Sequence, residues 1–193
     1  RDVLIPRHDT EVLVETACRQ APDATTILDV GTGSGCIAIS LARRLPQAAV
    51  TAVDLSPAAL DVARQNASRH GTSIEFLTGS YFHPVAERRF DLIVSNPPYI
   101  ITADLVHLQP EVRDFEPQLA LDGGQDGLDA YRHLIAAAPE HLNQGGWLLF
   151  EVGEGQADAV AALLAQSGFD GILMIPDSAD IQRVTGGMWH ATN

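Results

Sequence analysis

An α/β fold built around a mostly parallel sheet is predicted by two observations. Short β-branched runs alternate with helical stretches along the chain, with no internal repeat, and a glycine loop joins the first such run to a helix. In sheets of this kind ligands bind beyond the carboxyl ends of the strands. The residues following those ends are therefore where chemistry is expected.

The elements follow in order. Thr10 to Gln20 reads as a helix with Val12, Leu13, Ala17 and Cys18 as its candidate buried face. Thr25 to Val30 is a short apolar strand, and the loop Gly31 to Gly35 opens a helix through Ile37, Ile39, Leu41 and Leu45. Ala49 to Asp54 is a second strand. Ser56-Pro57 then supplies a serine cap with proline at the first helical position, and Gly71 is the expected stop of a helix ending at His70. Ile74 to Leu77 and Phe90 to Ser95 read as the third and fourth strands. Ile100 to Gly127 is a long stretch without a regular period, which inside a domain is more often functional than idle. A helix from Leu128 to Leu142, a strand from Trp147 to Val152 and a helix from Gln156 to Ser167 follow. Two closing strands, Ile172 to Ile175 and Arg183 to Trp189, are placed to pair antiparallel.

Composition narrows the class. With 193 residues the chain has the length of a single domain, residues 1–193. Its 46% hydrophobic and 19% charged content is globular usage. Twelve basic residues stand against 25 acidic ones, a net charge of −13, and the basic ones cluster only as Arg43-Arg44 and Arg88-Arg89. That balance argues against a nucleic-acid substrate, which wants clustered cations. No apolar run approaches the ~20 residues of a membrane span, and Arg1-Asp2 is no signal peptide. Two cysteines, Cys18 and Cys36, in apolar helical stretches fit a reducing, cytoplasmic setting. The seven histidines show no close metal-ligand spacing, so no metal is expected.

Two segments carry chemistry. Asp29-Val30-Gly31-Thr32-Gly33-Ser34-Gly35 lies between strand and helix, where unpaired N–H groups favour an anionic group. A dinucleotide fingerprint would need glycine at position 36, which is Cys36, and the Gly-Lys-Ser/Thr of a phosphate loop is absent. Asp54 at the end of the next strand is placed to accept from ribose hydroxyls, so the pair points to an adenosine-type cofactor. Cys36 lacks an obvious partner and reads as a small packed residue.

The second segment is Asn96-Pro97-Pro98-Tyr99. Two prolines directly after an apolar strand end the ladder and stiffen the backbone, leaving carbonyls with no adjacent N–H. Asn96 adds a side-chain carbonyl and Tyr99 a planar face, an arrangement suited to a planar group bearing an NH₂. Glu116 and Asp126 stand in the irregular stretch, either shaping a substrate entrance or capping turns.

Together the Asp29–Gly35 loop, Asp54 and Ser95-Asn96-Pro97-Pro98-Tyr99-Ile100 resemble the class I S-adenosylmethionine-dependent methyltransferases that alkylate amide or amino nitrogen. Within that class the chain is similar to the bacterial release-factor glutamine methyltransferases (the HemK/PrmC family). Ile5-Pro6-Arg7-His8-Asp9-Thr10-Glu11, Phe115-Glu116-Pro117, Ala120 to Gly127 and Arg183-Val184 narrow the match. The resemblance implies a Rossmann-like, seven-stranded, mostly parallel sheet with an antiparallel last strand. It implies that Gly31, Thr32, Gly33, Ser34 and Gly35 cradle S-adenosylmethionine, that Asp54 holds its ribose, and that Ser80, Tyr81 and Phe82 border its adenine, with Asn96 also beside the cofactor. Asn96 and the Pro97 carbonyl would bind a glutamine amide, with Pro98 and Tyr99 packed beside it. In the family that glutamine lies in the Gly-Gly-Gln tip of peptide-chain release factors, the expected protein partner; S-adenosylhomocysteine is the product, and a monomer is the simplest state.

The chain departs from the family pattern at Ser80, where Asp is usual, and at His8, where a second proline is usual. The family also carries an N-terminal helical domain that helps bind the release factor; the sequence starts at the end of the usual linker, so that domain is expected to be absent from this chain. Two rival substrates share the cofactor: a glutamine of a ribosomal protein, and adenine N6 of a nucleic acid, another planar NH₂. The acidic composition argues against the latter.

Overall fold

The computed structural model describes residues 3, 10–113 and 116–190. Ile5 to Asp9, with His8, and Phe115 of the motifs above lie outside the described residues. The order is α1 (Thr10–Gln20), β1 (Thr26–Val30), α2 (Cys36–Arg44), β2 (Ala49–Asp54), α3 (Pro57–His70), β3 (Glu75–Thr78), β4 (Phe90–Ser95), α4 (Pro110–Arg113), α5 (Asp129–His141), β5 (Leu142–Glu151), α6 (Ala157–Gln166), β6 (Phe169–Pro176) and β7 (Gln182–Trp189). Seven strands form one sheet in the order β3-β2-β1-β4-β5-β7-β6. The pairs from β3 through β5 are parallel, and β7 runs antiparallel to both β5 and β6.

The alternation of side chains across the pleat splits the core into two layers. Leu28, Ile93, Leu148 and Phe150 point to one face, where α5 and α6 cover them with Leu134, Ile135, Val160 and Leu164. Ile27, Leu92, Val94 and Leu149 point to the other, beneath Leu13 and Ala17 of α1 and Ile37 and Leu41 of α2. Each such fully buried side chain contributes about 1.5–3 kcal/mol over its exposed state. Helix α3 packs against α2, β2 and β3. Its ends follow the predicted chemistry: Ser56 Oγ accepts from Ala59 N at 3.2 Å, and Gly71 closes the helix at φ 64°. Among the described residues no helix is long and apolar enough to cross a membrane.

Two strands run longer than their sequence suggests. β5 begins at Leu142 and continues through Gly145-Gly146, because the pairing with β4 shifts register between Phe90 and Leu92 and absorbs the glycines. β6 begins at Phe169, with a register shift between Asp170 and Leu173 around Gly171. The irregular stretch holds short elements: 3₁₀ turns at Thr102–His107 and Gln118–Ala120 flank α4, and Ile100 bridges in parallel to Asp122.

Candidate active site

The carboxyl ends of β1, β2 and β4 meet around a cavity of about 370 Å³, within the range of small-molecule sites. Its wall includes Gly31 to Ser34 of the glycine loop, Asp54, Ser80, Tyr81 and the run from Asn96 to Pro98. The two segments singled out by sequence, 65 residues apart from Gly31 to Asn96, therefore face one space.

The loop is anchored from behind. Gly31 N and Thr32 N donate to the Val53 carbonyl at 2.8 and 3.0 Å, laying the loop across the end of β2. Asp29 is fully buried, and its Oδ2 accepts from Thr32 Oγ1 at 2.6 Å and Ala38 N at 3.2 Å, tying the loop to the first turn of α2. Its Oδ1 is buried without a hydrogen-bond partner among the described residues. Burial above all, with the neighbouring Asp54 charge adding to it, pushes the Asp29 carboxyl up to about 7 against the two hydrogen bonds. Gly35 turns the chain into α2 at φ 81°, and a Cβ there would lie 3.0 Å from the Ala63 Cβ. Asn66 Nδ2 donates to the Ser34 carbonyl at 2.9 Å and fixes the loop to α3.

Asp54 joins loop and helix. Its Oδ2 accepts from Gly33 N at 2.8 Å and its Oδ1 from Ser56 N at 2.9 Å. Each oxygen keeps further lone-pair capacity for a ligand hydroxyl. Gly79, Ser80 and Tyr81 border the cavity after β3, with Gly79 N donating to the Asp54 carbonyl at 3.0 Å. Tyr81 holds a left-handed backbone at φ 48° and stacks on His133 at 4.2 Å between centroids. A non-glycine residue in that region signals strain held by its surroundings. Cys36 also lines the cavity, and burial pushes its thiol up to about 11, so it stays protonated and unreactive.

On the β4 side, Ser95 Oγ donates to the Val30 carbonyl at 2.7 Å and fixes the strand end immediately before Asn96. Pro97 is buried, while Asn96 and Pro98 are half-buried. Leu55, Pro117, Leu119 and Ala120 complete much of the apolar wall. Pro117 and Ala120 belong to segments that carry the family resemblance, whereas sequence reasoning gave Leu55 and Leu119 no role, although the contiguity of Leu55 with Asp54 was a signal for it.

Three expected residues sit elsewhere, among them Gly35, which lies behind the wall at the turn into α2, against Ala63. Phe82 does not border the cavity: it is 4% exposed, inside the α5–α6 core layer, with its ring stacked on His141 at 4.5 Å. The turn that faces Tyr81 to the cavity turns its neighbour inward. Tyr99 is also off the cavity wall, half-buried, with its ring against the same core layer and the Gly153 backbone. Asp126 caps a turn and pairs with Arg132, accepting from Leu128 N at 3.2 Å. No group of three or more His, Cys, Asp or Glu side chains able to hold a metal occurs among the described residues.

Sheet order, a glycine loop after β1 and an acid at the end of β2 around one cavity define a class I methyltransferase fold. Residues 8–108 match the Methyltransferase small domain family model. A release factor glutamine methyltransferase from Geobacter sulfurreducens is 57% identical over 185 residues, 96% of this chain and 65% of the relative. One from Neisseria gonorrhoeae is 45% identical, covering 97% of this chain and 69% of its own length. The chain thus spans about two thirds of these relatives. A crystal structure of a protein-(glutamine-N5) methyltransferase (release factor-specific) from Alicyclobacillus acidocaldarius is 36% identical, covers 99% of this chain and 98% of its own, and has a TM-score of 0.59. The chain belongs to the release factor glutamine methyltransferase family.

Proposed function

We propose that this chain binds S-adenosylmethionine and methylates the side-chain amide nitrogen of the glutamine in the Gly-Gly-Gln motif of peptide-chain release factors. One observation carries the reading: the Asn96–Pro98 acceptors and the Gly31–Ser34/Asp54 cradle line the same cavity. The donor set suits the cofactor. Gly31 to Gly35 bring backbone close to an amino-acid moiety at the start of α2, Asp54 offers two carboxylate oxygens to ribose hydroxyls, and Ser80 and Tyr81 flank the base. When bound, that cofactor supplies a methyl on a positively charged sulfur and leaves as S-adenosylhomocysteine.

An amide nitrogen is a poor nucleophile because its lone pair is delocalised into the carbonyl. The Asn96 side-chain carbonyl and the Pro97 backbone carbonyl accept the two amide hydrogens and stabilise positive charge developing on nitrogen. Both are fixed before substrate arrives, by Ser95 on one side and by the prolines' locked φ on the other. The surplus proton is held against these acceptors and then lost to water, so no base of perturbed pKa is needed beforehand. Tyr99 supports the loop from the core side.

The test is incubation of the chain with S-adenosylmethionine and a release factor, followed by tandem mass spectrometry of the Gly-Gly-Gln peptide. Asn96→Ala should retain cofactor binding and lose roughly 10²–10³ in turnover, the usual cost of one preorganised partner. A methyl on a ribosomal-protein glutamine instead, or unchanged turnover in Asn96→Ala, would overturn substrate or role respectively.

A further inference from the structure

We propose that Gln156 is a positioning residue for the transfer, its side-chain amide clasping the chain behind the Asn-Pro-Pro carbonyls. The proposal rests on the methyl-transfer reading above and concerns how that site is held. Pro97 and Pro98 have no N–H, so these two residues cannot be held through backbone donors of their own. Whatever fixes them must grip carbonyls, or the chain just beyond.

Gln156, at the N-terminal cap of α6, does the first. Its Nε2 donates to the Tyr99 carbonyl at 2.9 Å and to the Gly127 carbonyl at 3.3 Å, while its Oε1 accepts from Gly153 N at 3.1 Å. Two carbonyls on one end and an N–H on the other fix which way the amide points. Three segments distant in sequence converge on this one side chain: the end of the Asn-Pro-Pro-Tyr run, the end of the irregular stretch, and the turn after β5. Their approach is too close for side chains. A Cβ on Gly127 would lie 2.4 Å from the Tyr99 carbonyl oxygen and 2.5 Å from Gln156 Nε2, and one on Gly153 would lie 2.8 Å from Gln156 Oε1.

The second grip is a short ladder just beyond. Ile100 N donates to the Leu121 carbonyl at 2.9 Å, Gly123 N to the Ile100 carbonyl at 2.8 Å, and Thr102 N to the Gly124 carbonyl at 2.9 Å. With Ser95 bonded to Val30 before the prolines, the loop is pinned at both ends, and Gln156 is the side chain that closes the far pin. Because proline φ is locked, displacement at Tyr99 is passed to the Pro97 carbonyl instead of being absorbed between them. A misplacement of about 1 Å at reacting groups costs on the order of 10²-fold in rate.

Gln156→Glu replaces the double donor with an acceptor facing two carbonyls; Gln156→Met keeps the length and removes the polar atoms. Both are compared with the unsubstituted chain for kcat on a release factor, S-adenosylhomocysteine affinity by calorimetry, and amide hydrogen exchange. The expected result is a kcat loss of roughly ten- to a hundredfold, cofactor affinity within about twofold, and faster exchange confined to Tyr99–Thr102 and Leu121–Gly127. Unchanged exchange there, kcat within twofold in both variants, or loss of protection spread across β1–β5 would overturn the proposal. Absence of methylation by the unsubstituted chain would instead overturn the substrate reading, while the exchange pattern still decides whether the clasp exists.

Discussion

Replacing Asp54 by Asn separates what the carboxylate does for the fold from what it does for the cofactor. Its two oxygens accept from Gly33 N at 2.8 Å and Ser56 N at 2.9 Å. An amide has one acceptor, so in either orientation one backbone N–H faces an NH₂ donor. Losing one charge-assisted bond and leaving its donor unpaired costs about 1.5–3 kcal/mol. For a chain of this size that lowers Tm by roughly 3–10 °C. On the proposed reading, in which Asp54 holds the ribose, that contact loses an acceptor and the negative charge together, a comparable cost that weakens cofactor binding roughly tenfold to a hundredfold. Thermal melting without ligand and calorimetric titration with S-adenosylhomocysteine read the two effects separately. Asp61→Asn is the matched control, because Asp61 is exposed and pairs with its helix neighbour Arg64. Affinity within twofold for Asp54→Asn, equal to the control, would refute the assignment of Asp54 to the ribose.

Three further outcomes follow from the geometry. Gly35→Ala, forced into φ 81° and within 3.0 Å of the Ala63 Cβ, should cost about 2–4 kcal/mol; a melting temperature within 2 °C of the parent would contradict it. Asp29 titrates near 7 when folded, raised from 3.8 by burial. The folded state holds that proton more tightly, so stability falls as pH rises from about 4 through about 7 and then levels. Asp29→Asn should flatten that slope in melts taken from pH 4 to 8, and parallel curves would reject the shift. Burial alone would raise Asp91, but bonds from Asn143, Thr25 and Thr26 outweigh it and bring it down to about 2. Its stabilisation is therefore present above pH 4 and lost as pH falls through about 2. Asp91→Ala should lower stability by roughly 2–3 kcal/mol at pH 7 and leave kcat unchanged, since Asp91 sits at the opposite end of β4; a lowered kcat at saturating substrates would contradict that.

Local chemistry made much of this molecule legible. Ser56-Pro57 and Gly71 marked both ends of α3 because caps are decided within a few residues, and the Gly31–Gly35 loop announced a strand-to-helix turn. Asn96-Pro97-Pro98 declared its carbonyls for the same reason. Side-chain direction was less accessible: Tyr81 and Phe82 are adjacent, yet one faces the cavity and the other the core, a choice made by the left-handed turn at Tyr81. The strand read as starting at Trp147 begins at Leu142, because a register shift in the pairing with β4 accommodates Gly145-Gly146. Gln156 was hardest to find. Its amide reaches backbone carbonyls 29 and 57 residues away, and nothing adjacent in the sequence records that.

The placement of β7 between β5 and β6 has a consequence for assembly during synthesis. Because β5 borrows its outer neighbour from Gln182–Trp189, the row of backbone donors and acceptors along Trp147–Glu151 stays bare while β6, made earlier, has no strand to pair with. The strand that comes seventh in chain order is thus the keystone of this sheet. Until it arrives, a nascent chain offers a long apolar edge containing Leu148, Leu149 and Phe150, the kind of template on which other unfinished chains pair. A nonsense mutation after Pro176 would trap that intermediate, directing the product to chaperones and proteases although the cofactor cradle itself had been translated in full.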